Sequence, residues 1–152
     1  MNLRSNYERF EAIAASLQAP LLLLIRLYWG WQLVQTGRGK LMNLDRTTAF
    51  FASLHIPAPG LNAVVVSSIE LICGLLLAAG LFARAASVPV TVTLLVAFVT
   101  ADREAFLSFF SDPDKFFGAA PALFLFATLL VLAFGPGRWS ADRLWQRRPA
   151  RP

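Results

Sequence analysis

Apolar residues along the chain fall into four blocks, each bounded by charges or by proline and glycine. The first runs from about Leu17 to Val34 and follows a mildly amphipathic stretch carrying Arg4, Glu8, Arg9 and Glu11. No small-x-small cleavage signal follows it, so it is expected to remain as the first membrane helix. The second, about Leu61 to Phe82, starts after Pro57-Ala58-Pro59-Gly60, a break and helix-entry signal. The third, about Ala85 to Ala101, follows after only Ala83-Arg84, which makes the second and third helices antiparallel neighbours. The fourth, about Phe116 to Phe134, stops at Gly135-Pro136-Gly137. Each block is close to the ~20 residues that a bilayer helix needs, and unpaired strands are not tolerated in lipid. The pattern therefore predicts an all-α integral membrane protein, a four-helix up-and-down bundle. The expected organisation is an N-terminal segment 1–16, a membrane domain 17–137 and a basic tail 138–152.

The loops on the far side from the termini carry helical patterns of their own. Leu44, Thr48, Phe51 and His55 recur at helical spacing, and Asp102 to Phe110 gathers Phe106, Phe109 and Phe110 behind an acidic start. Both segments read as short interfacial helices, serving as lipid anchors or as a gate or partner surface. Ser111-Asp112-Pro113-Asp114 is a turn that can cap the fourth helix, and Ser140-Ala141-Asp142 begins a short helix after the Gly-Pro-Gly break, with Trp139 and Trp145 placed for headgroup level.

Composition agrees with this layout and narrows the chemistry. Of 152 residues 57% are hydrophobic and 15% charged, and mean hydropathy is +0.57. Lys and Arg number eight on the side holding both termini (Arg4, Arg9, Arg84, Arg138, Arg143, Arg147, Arg148, Arg151) and five on the other (Arg38, Lys40, Arg46, Arg103, Lys115). By the positive-inside rule both termini are cytoplasmic. The net charge of +5 is then a topology signal with some attraction to anionic lipid, and nucleic acid is not an expected partner. A single histidine, His55, cannot supply two axial haem ligands, and a single cysteine, Cys73, cannot hold an iron–sulfur cluster or form an internal disulfide. No structural metal site is expected; His55 reads as an exposed or turn residue and Cys73 as a small core residue.

Charges inside the apolar blocks need a physical reason, since a central arginine costs ~2.5–3.5 kcal/mol to insert. Arg26 falls near the middle of the first block and Glu70 near the middle of the second, so pairing at similar depth is expected. Such a pair either fixes helix register or forms a ligand or proton site. Arg26, Gly30, Leu33, Gly37 and Lys40 share one stripe of the first helix, and Ser67, Glu70, Gly74 and Leu77 form a matching stripe on the second. Glycines in both let the helices approach closely. Trp29, Gln32 and Thr36 stand beside the first stripe, with Tyr28 and Gln35 further round; Thr93, Ala97 and Thr100 offer a polar face on the third helix, which Pro89 can bend. Lys40, near the outer end, either snorkels or meets a substrate.

The run Arg26-Leu27-Tyr28-Trp29-Gly30 followed by Gly37-Arg38-Gly39-Lys40-Leu41 resembles the first-helix pattern of the DoxX family. Ile56-Pro57-Ala58-Pro59, Ile69-Glu70-Leu71-Ile72-Cys73-Gly74, Gly80-Leu81-Phe82-Ala83-Arg84 and Gly135-Pro136-Gly137-Arg138-Trp139-Ser140 with Asp142-Arg143-Leu144 are similar too, so the resemblance covers about Leu21 to Leu144. Many members carry a histidine just before the glycine of the first-helix motif; Thr36 occupies that position here, and no role of that histidine transfers. The resemblance implies a four-helix protein of the bacterial cytoplasmic membrane with a redox association, because DoxX-like proteins include a subunit of thiosulfate:quinone oxidoreductase.

The leading expectation is a quinone-associated accessory subunit. Arg26, Trp29, Gln32, Thr36, Lys40 and Ser67 are its candidate ligand-binding residues, and Glu70 is its candidate proton-handling catalytic residue. Without an internal electron relay, such a chain needs an oxidoreductase partner and is not a complete enzyme alone. The alternative is a membrane assembly module whose Arg/Glu pair is structural. A solute carrier ranks last, since no internal inverted repeat is visible. Homo-oligomerisation through Gly30, Gly37 and Gly74 is also open.

Overall fold

The computed structural model describes the backbone of residues 3–146 and the side chains of residues 6–143. Arg147, Arg148 and Arg151 lie outside the described residues, as do the side chains of Arg4, Leu144 and Trp145. The described chain is helical, without strands: α1 (Leu3–Met42), α2 (Leu44–Ser53), α3 (Pro59–Ala79), α4 (Ala83–Thr100), α5 (Arg103–Leu107), α6 (Pro113–Gly118), α7 (Ala120–Phe134) and α8 (Ala141–Gln146). Three helices, α1, α3 and α4, are long and apolar enough to cross a membrane, and α7 is apolar but shorter.

The first helix runs beyond its apolar block to Met42, which keeps Gly37 and Lys40 on the expected stripe. The segment Thr36-Gly37-Arg38-Gly39-Lys40 stays helical because Gly37 is pressed against α3, where a close backbone approach replaces the side-chain packing a glycine lacks. One element boundary differs from the expectation: the fourth helix is split at Ala119 into α6 and α7. Pro121 has no N–H for the carbonyl one turn earlier, so the helix restarts with proline in its first turn. Asp112 caps α6, its carboxylate accepting Lys115 N–H at 3.1 Å.

Helix α1 packs along α3 over most of the latter's length, α3 on α4, and α4 on α7; contact between α1 and α7 is slight. Small and β-branched residues make up much of the interior: Ala63, Ser67, Ala83, Ala86, Ser87, Val90, Ala127 and Val131 are buried, beside Leu33, Leu77, Leu94 and Phe98. Large apolar residues such as Leu61, Ile72, Leu75, Val92, Val99, Phe126 and Leu129 face outward. Helices in lipid gain nothing from burying leucine and associate instead by close packing of small residues, so this inside-out distribution fits a bilayer. Hydroxyls within the helices bond their own preceding turn: Ser67 to Ala63 O, Ser87 to Ala83 O, Thr93 to Val90 O and Thr128 to Phe124 O. Thr93 and Thr100 therefore do not extend a polar centre into α4; each bonds a carbonyl of its own helix.

At 40 residues α1 is about 60 Å long, roughly twice the hydrocarbon thickness. Its first half runs past the α3–α4 turn and exposes Tyr7, Phe10, Ile13, Leu17, Leu21 and Leu24 in steps of three or four residues. At the other end α5 and α6 fold over α4 and α7 through stacked rings, Phe98 lying 5.5 Å from Phe106 and 4.9 Å from Phe116. Phe110 is left 93% exposed.

Candidate functional site

The seam between α1 and α3 sets the position of every internal charge. A Cβ on Gly30 would stand 2.8 Å from Ala78 N, one on Gly37 2.5 Å from Leu71 N, and one on Gly74 2.9 Å from Gly30 O. The two helices thus touch backbone to backbone, in antiparallel register, with Gly30 beside Ala78 and Gly37 beside Leu71. Arg26 then falls level with Gly80, which lies ten residues beyond Glu70, or ~15 Å along the axis. The expected Arg26–Glu70 pair does not form. The expectation took Arg26 as the middle of its helix, whereas the extension of α1 to Met42 moves the middle of the α1–α3 seam toward Leu33 and puts Arg26 at one end.

Glu70 pairs instead with Lys40. Lys40 Nζ donates to Glu70 Oε1 at 2.5 Å, while Glu70 Oε2 is buried and has no hydrogen-bond partner. The glutamate side chain is 8% exposed and the lysine 35%. Lys40 also forms part of the wall of a cleft of about 440 Å³ between the end of α1 and α2, with Thr36, Asn43, Arg46, Phe50 and Phe51 around it. Helix α2 is held there by Thr47, whose hydroxyl bonds Asn43 O at 3.0 Å, and by Asn43 Nδ2 donating to Gly39 O at 2.9 Å. We call this the loop face of the bundle.

Arg26 belongs to the opposite, terminal face. It is 1% exposed, donates from Nη2 to Trp139 O at 2.6 Å, and leaves Nε and Nη1 without partners. Gly80 makes the room: its φ of +69° is a conformation suited to glycine, and a Cβ there would overlap Arg26 Nη1 and lie 2.8 Å from Ser140 Cβ. The chain after Gly-Pro-Gly folds back onto this point. Asp142 N–H donates to Gly80 O at 3.0 Å, and its two carboxylate oxygens accept Phe82 N–H at 2.7 Å and Ala83 N–H at 3.2 Å, capping α4. Ser140 is buried, accepts Arg143 N–H at 3.3 Å and donates to Gly137 O at 2.8 Å.

Of the sequence-derived candidates, Lys40, Thr36 and Glu70 come together on the loop face. Ser67 lies one turn from Glu70 on the same buried side of α3, its hydroxyl bonded to Ala63 O at 2.5 Å. Trp29 meets α7, its ring 4.7 Å from that of Phe124, and Gln32 follows it half-buried, one turn before Thr36. Sequence reasoning missed that Gly80, Trp139, Ser140 and Asp142 form one knot around Arg26. The signal was present in two pieces, a helix-ending glycine and a Ser-x-Asp helix start, but nothing in the sequence joins them.

The DoxX family model matches residues 21–103 of this chain, more than half of it, from the start of the α1–α3 seam through α4. This chain belongs to the DoxX family. It is also similar to the uncharacterized membrane protein Rv3486 of Mycobacterium tuberculosis, strain ATCC 25618 / H37Rv, 32% identical over 136 residues that make up 85% of this chain and 83% of the relative. No solved structure matches it. As a DoxX member with three membrane-length helices, it is a multi-pass membrane protein. The matched region contains both Lys40 and Glu70.

Proposed function

We propose that this DoxX member is an accessory subunit of a bacterial membrane oxidoreductase system, and that its loop-face cleft takes the ring of a quinone. The observation that carries the reading is Lys40 at the cleft wall, paired behind the lining with Glu70, which keeps one carboxylate oxygen buried and unpartnered. In this reading α1, α3, α4 and α7 form a four-helix up-and-down bundle in the cytoplasmic membrane. The excess of Lys and Arg on the terminal face supports cytoplasmic termini.

The residues present suit such a group. Phe50 and Phe51 offer aromatic walls and Lys40 offers a donor for a carbonyl oxygen, while the Thr36 hydroxyl in the same wall donates to Leu33 O of its own helix at 2.9 Å. A bound quinone supplies two-electron, two-proton chemistry. In that setting Lys40 would donate to a carbonyl oxygen, and Glu70, behind it and outside the lining, would hold the ammonium in place. With a single cysteine and a single histidine the chain lacks an electron relay, so electrons come from a partner oxidoreductase. Arg26, Trp29, Gln32 and Ser67, first grouped with the ligand residues, lie outside the cleft wall and are assigned to holding the bundle together.

The test is quinone quantification by mass spectrometry on protein purified in native lipid particles. Near-stoichiometric quinone in the wild type and background in Lys40→Met at equal accumulation is the expected result. Background quinone in the wild type refutes the reading.

A second reading, a non-catalytic assembly module, is favoured by the directness of the Lys40–Glu70 contact, an ion pair between α1 and α3 that forms without a ligand. It predicts that Lys40→Met with Glu70→Leu together retain activity in the host complex while each single change lowers accumulation.

A further inference from the structure

The terminal face carries a second and larger cleft, of about 690 Å³, between the first half of α1, the α3–α4 turn and the chain that follows α7. Arg84, Arg138 and Arg143 line it from three separate elements. Arg84 donates one hydrogen bond, from Nη2 to Ala133 O at 3.1 Å. Among the described residues the side chains of Arg138 and Arg143 have neither an ion pair nor a hydrogen-bond partner. The acid in the wall, Asp142, has both carboxylate oxygens turned to the N–H groups of Phe82 and Ala83. Behind Ser140, itself a lining residue, stands the buried guanidinium of Arg26 with two nitrogens unpartnered. Cations are thus gathered around one concave space whose nearby carboxylate is engaged elsewhere.

Position narrows the ligand. The cleft sits where α3 ends and α4 begins, at the edge of the apolar layer that those helices span. Phe82, Phe134 and Trp139 are all exposed around it, as aromatic residues are at headgroup level. The wall contributed by α1 is neutral, with Ala15, Ser16, Gln18 and Ala19, and sets no carboxylate beside the arginines.

We propose that this cleft binds the phosphodiester headgroup of an anionic phospholipid, held between Arg84, Arg138 and Arg143. The guanidinium groups give forked hydrogen bonds to the non-bridging phosphate oxygens, and the lipid's acyl chains run into the bilayer past Phe82 and Phe134. The site requires neither the quinone reading nor an assignment of which leaflet it faces.

The experiment is native mass spectrometry of the full-length protein in mild detergent, titrated with phosphatidylglycerol, phosphatidylcholine or inorganic phosphate. One phosphatidylglycerol is expected to bind in preference to phosphatidylcholine. Each cleft arginine at headgroup level gives about a fivefold gain, so Arg138→Gln with Arg143→Gln should weaken that first lipid about 25-fold. Both side chains are exposed and unpaired, so the fold is retained, and Arg138→Lys with Arg143→Lys should restore most of the binding. Replacing Arg147, Arg148 and Arg151 by glutamine should leave the first lipid within about twofold, which separates the cleft from tail attraction. Equal affinity for the two lipids, or no effect of the Arg138 and Arg143 changes, overturns the proposal. Inorganic phosphate that displaces phosphatidylglycerol at equal concentration overturns the lipid assignment in favour of a soluble phosphate ester.

Discussion

The backbone contact between Gly37 of α1 and Leu71 of α3 gives the sharpest test of the architecture. In Gly37→Ala the added Cβ would lie 2.5 Å from Leu71 N and 2.7 Å from Ser67 O, roughly 0.9 Å inside ordinary contact. Both obstacles are helix backbone and cannot rotate away, so α1 and α3 must separate at that level. A gap of ~0.5–1 Å forfeits about a quarter to a half of each neighbouring dispersion contact, and overpacking of this kind costs about 1–3 kcal/mol. Separation would also draw Lys40, three residues further along, away from Glu70. Gly39 provides the control, because a Cβ there meets nothing within 4 Å. Gly39→Ala should be neutral, or stabilising by up to ~1 kcal/mol through helix propensity. The assay is unfolding of the two variants in mixed micelles under increasing denaturing detergent, followed by helical circular dichroism. If Gly37→Ala proves as stable as Gly39→Ala, the backbone-to-backbone seam is wrong, and the placement of both charged ends falls with it.

Three other outcomes follow from the same geometry. Gly80→Ala combines a left-handed backbone with a Cβ that overlaps Arg26 Nη1, so it should destabilise by at least ~1–2 kcal/mol and expose the residues after Gly137 to protease, as read by limited proteolysis. Lys40→Met leaves Glu70 buried beside an apolar chain; with the lysine partly exposed, the loss should fall between the ~0–1 kcal/mol of a surface pair and the ~3–5 kcal/mol of a broken buried one, with Glu70→Gln partly rescuing thermal stability. Lys115, hydrogen-bonded to Glu104 at 2.9 Å, holds that carboxyl below its ordinary range. A depressed carboxylate contributes above its unfolded pKa and ceases to contribute as pH falls through the folded value, so hydrogen exchange of α5 should rise on acidification below roughly pH 4 and not between pH 6 and 8.

How much of this was legible in the sequence depends on the length scale. The apolar blocks, the short helix α2, the Asp112 cap and the start of α8 follow from local pattern, because each is decided by residues within a turn or two of one another. The stripe Arg26, Gly30, Leu33, Gly37, Lys40 was equally legible, and Gly30, Leu33 and Gly37 are indeed buried in the α1–α3 seam. What it meets on α3 was not. Pairing Arg26 with Glu70 assumed that each helix was centred on its apolar block, although the stripe itself carries the first helix on to Lys40. The register is fixed by glycines of one helix against backbone of another, and that information is divided between segments some 40 residues apart. The knot at Gly80 is harder still, since Arg26, Gly80 and Asp142 come from three parts of the chain and each has an ordinary local explanation.

The seam also explains why the charges sit where they do. At Gly30 and Gly37 the facing α3 backbone leaves no volume for a β-carbon, and between them the seam holds Leu33 over Gly74. The two cations of the stripe, Arg26 and Lys40, occupy its ends, beyond the glycines. Each then takes the partner that α3 and its continuation offer at that level: Glu70 at one end, and at the other the space over Gly80 with the Trp139 carbonyl behind it. Sliding α1 by one residue would shift it only ~1.5 Å but rotate it by ~100°, carrying Gly30 and Gly37 off the seam and both cations off their partners together. The loop-face pair and the terminal-face knot are therefore set by one register. A variant that alters that register should disturb both ends at once, whereas a change confined to Lys40 or to Arg138 should leave the opposite end as it is.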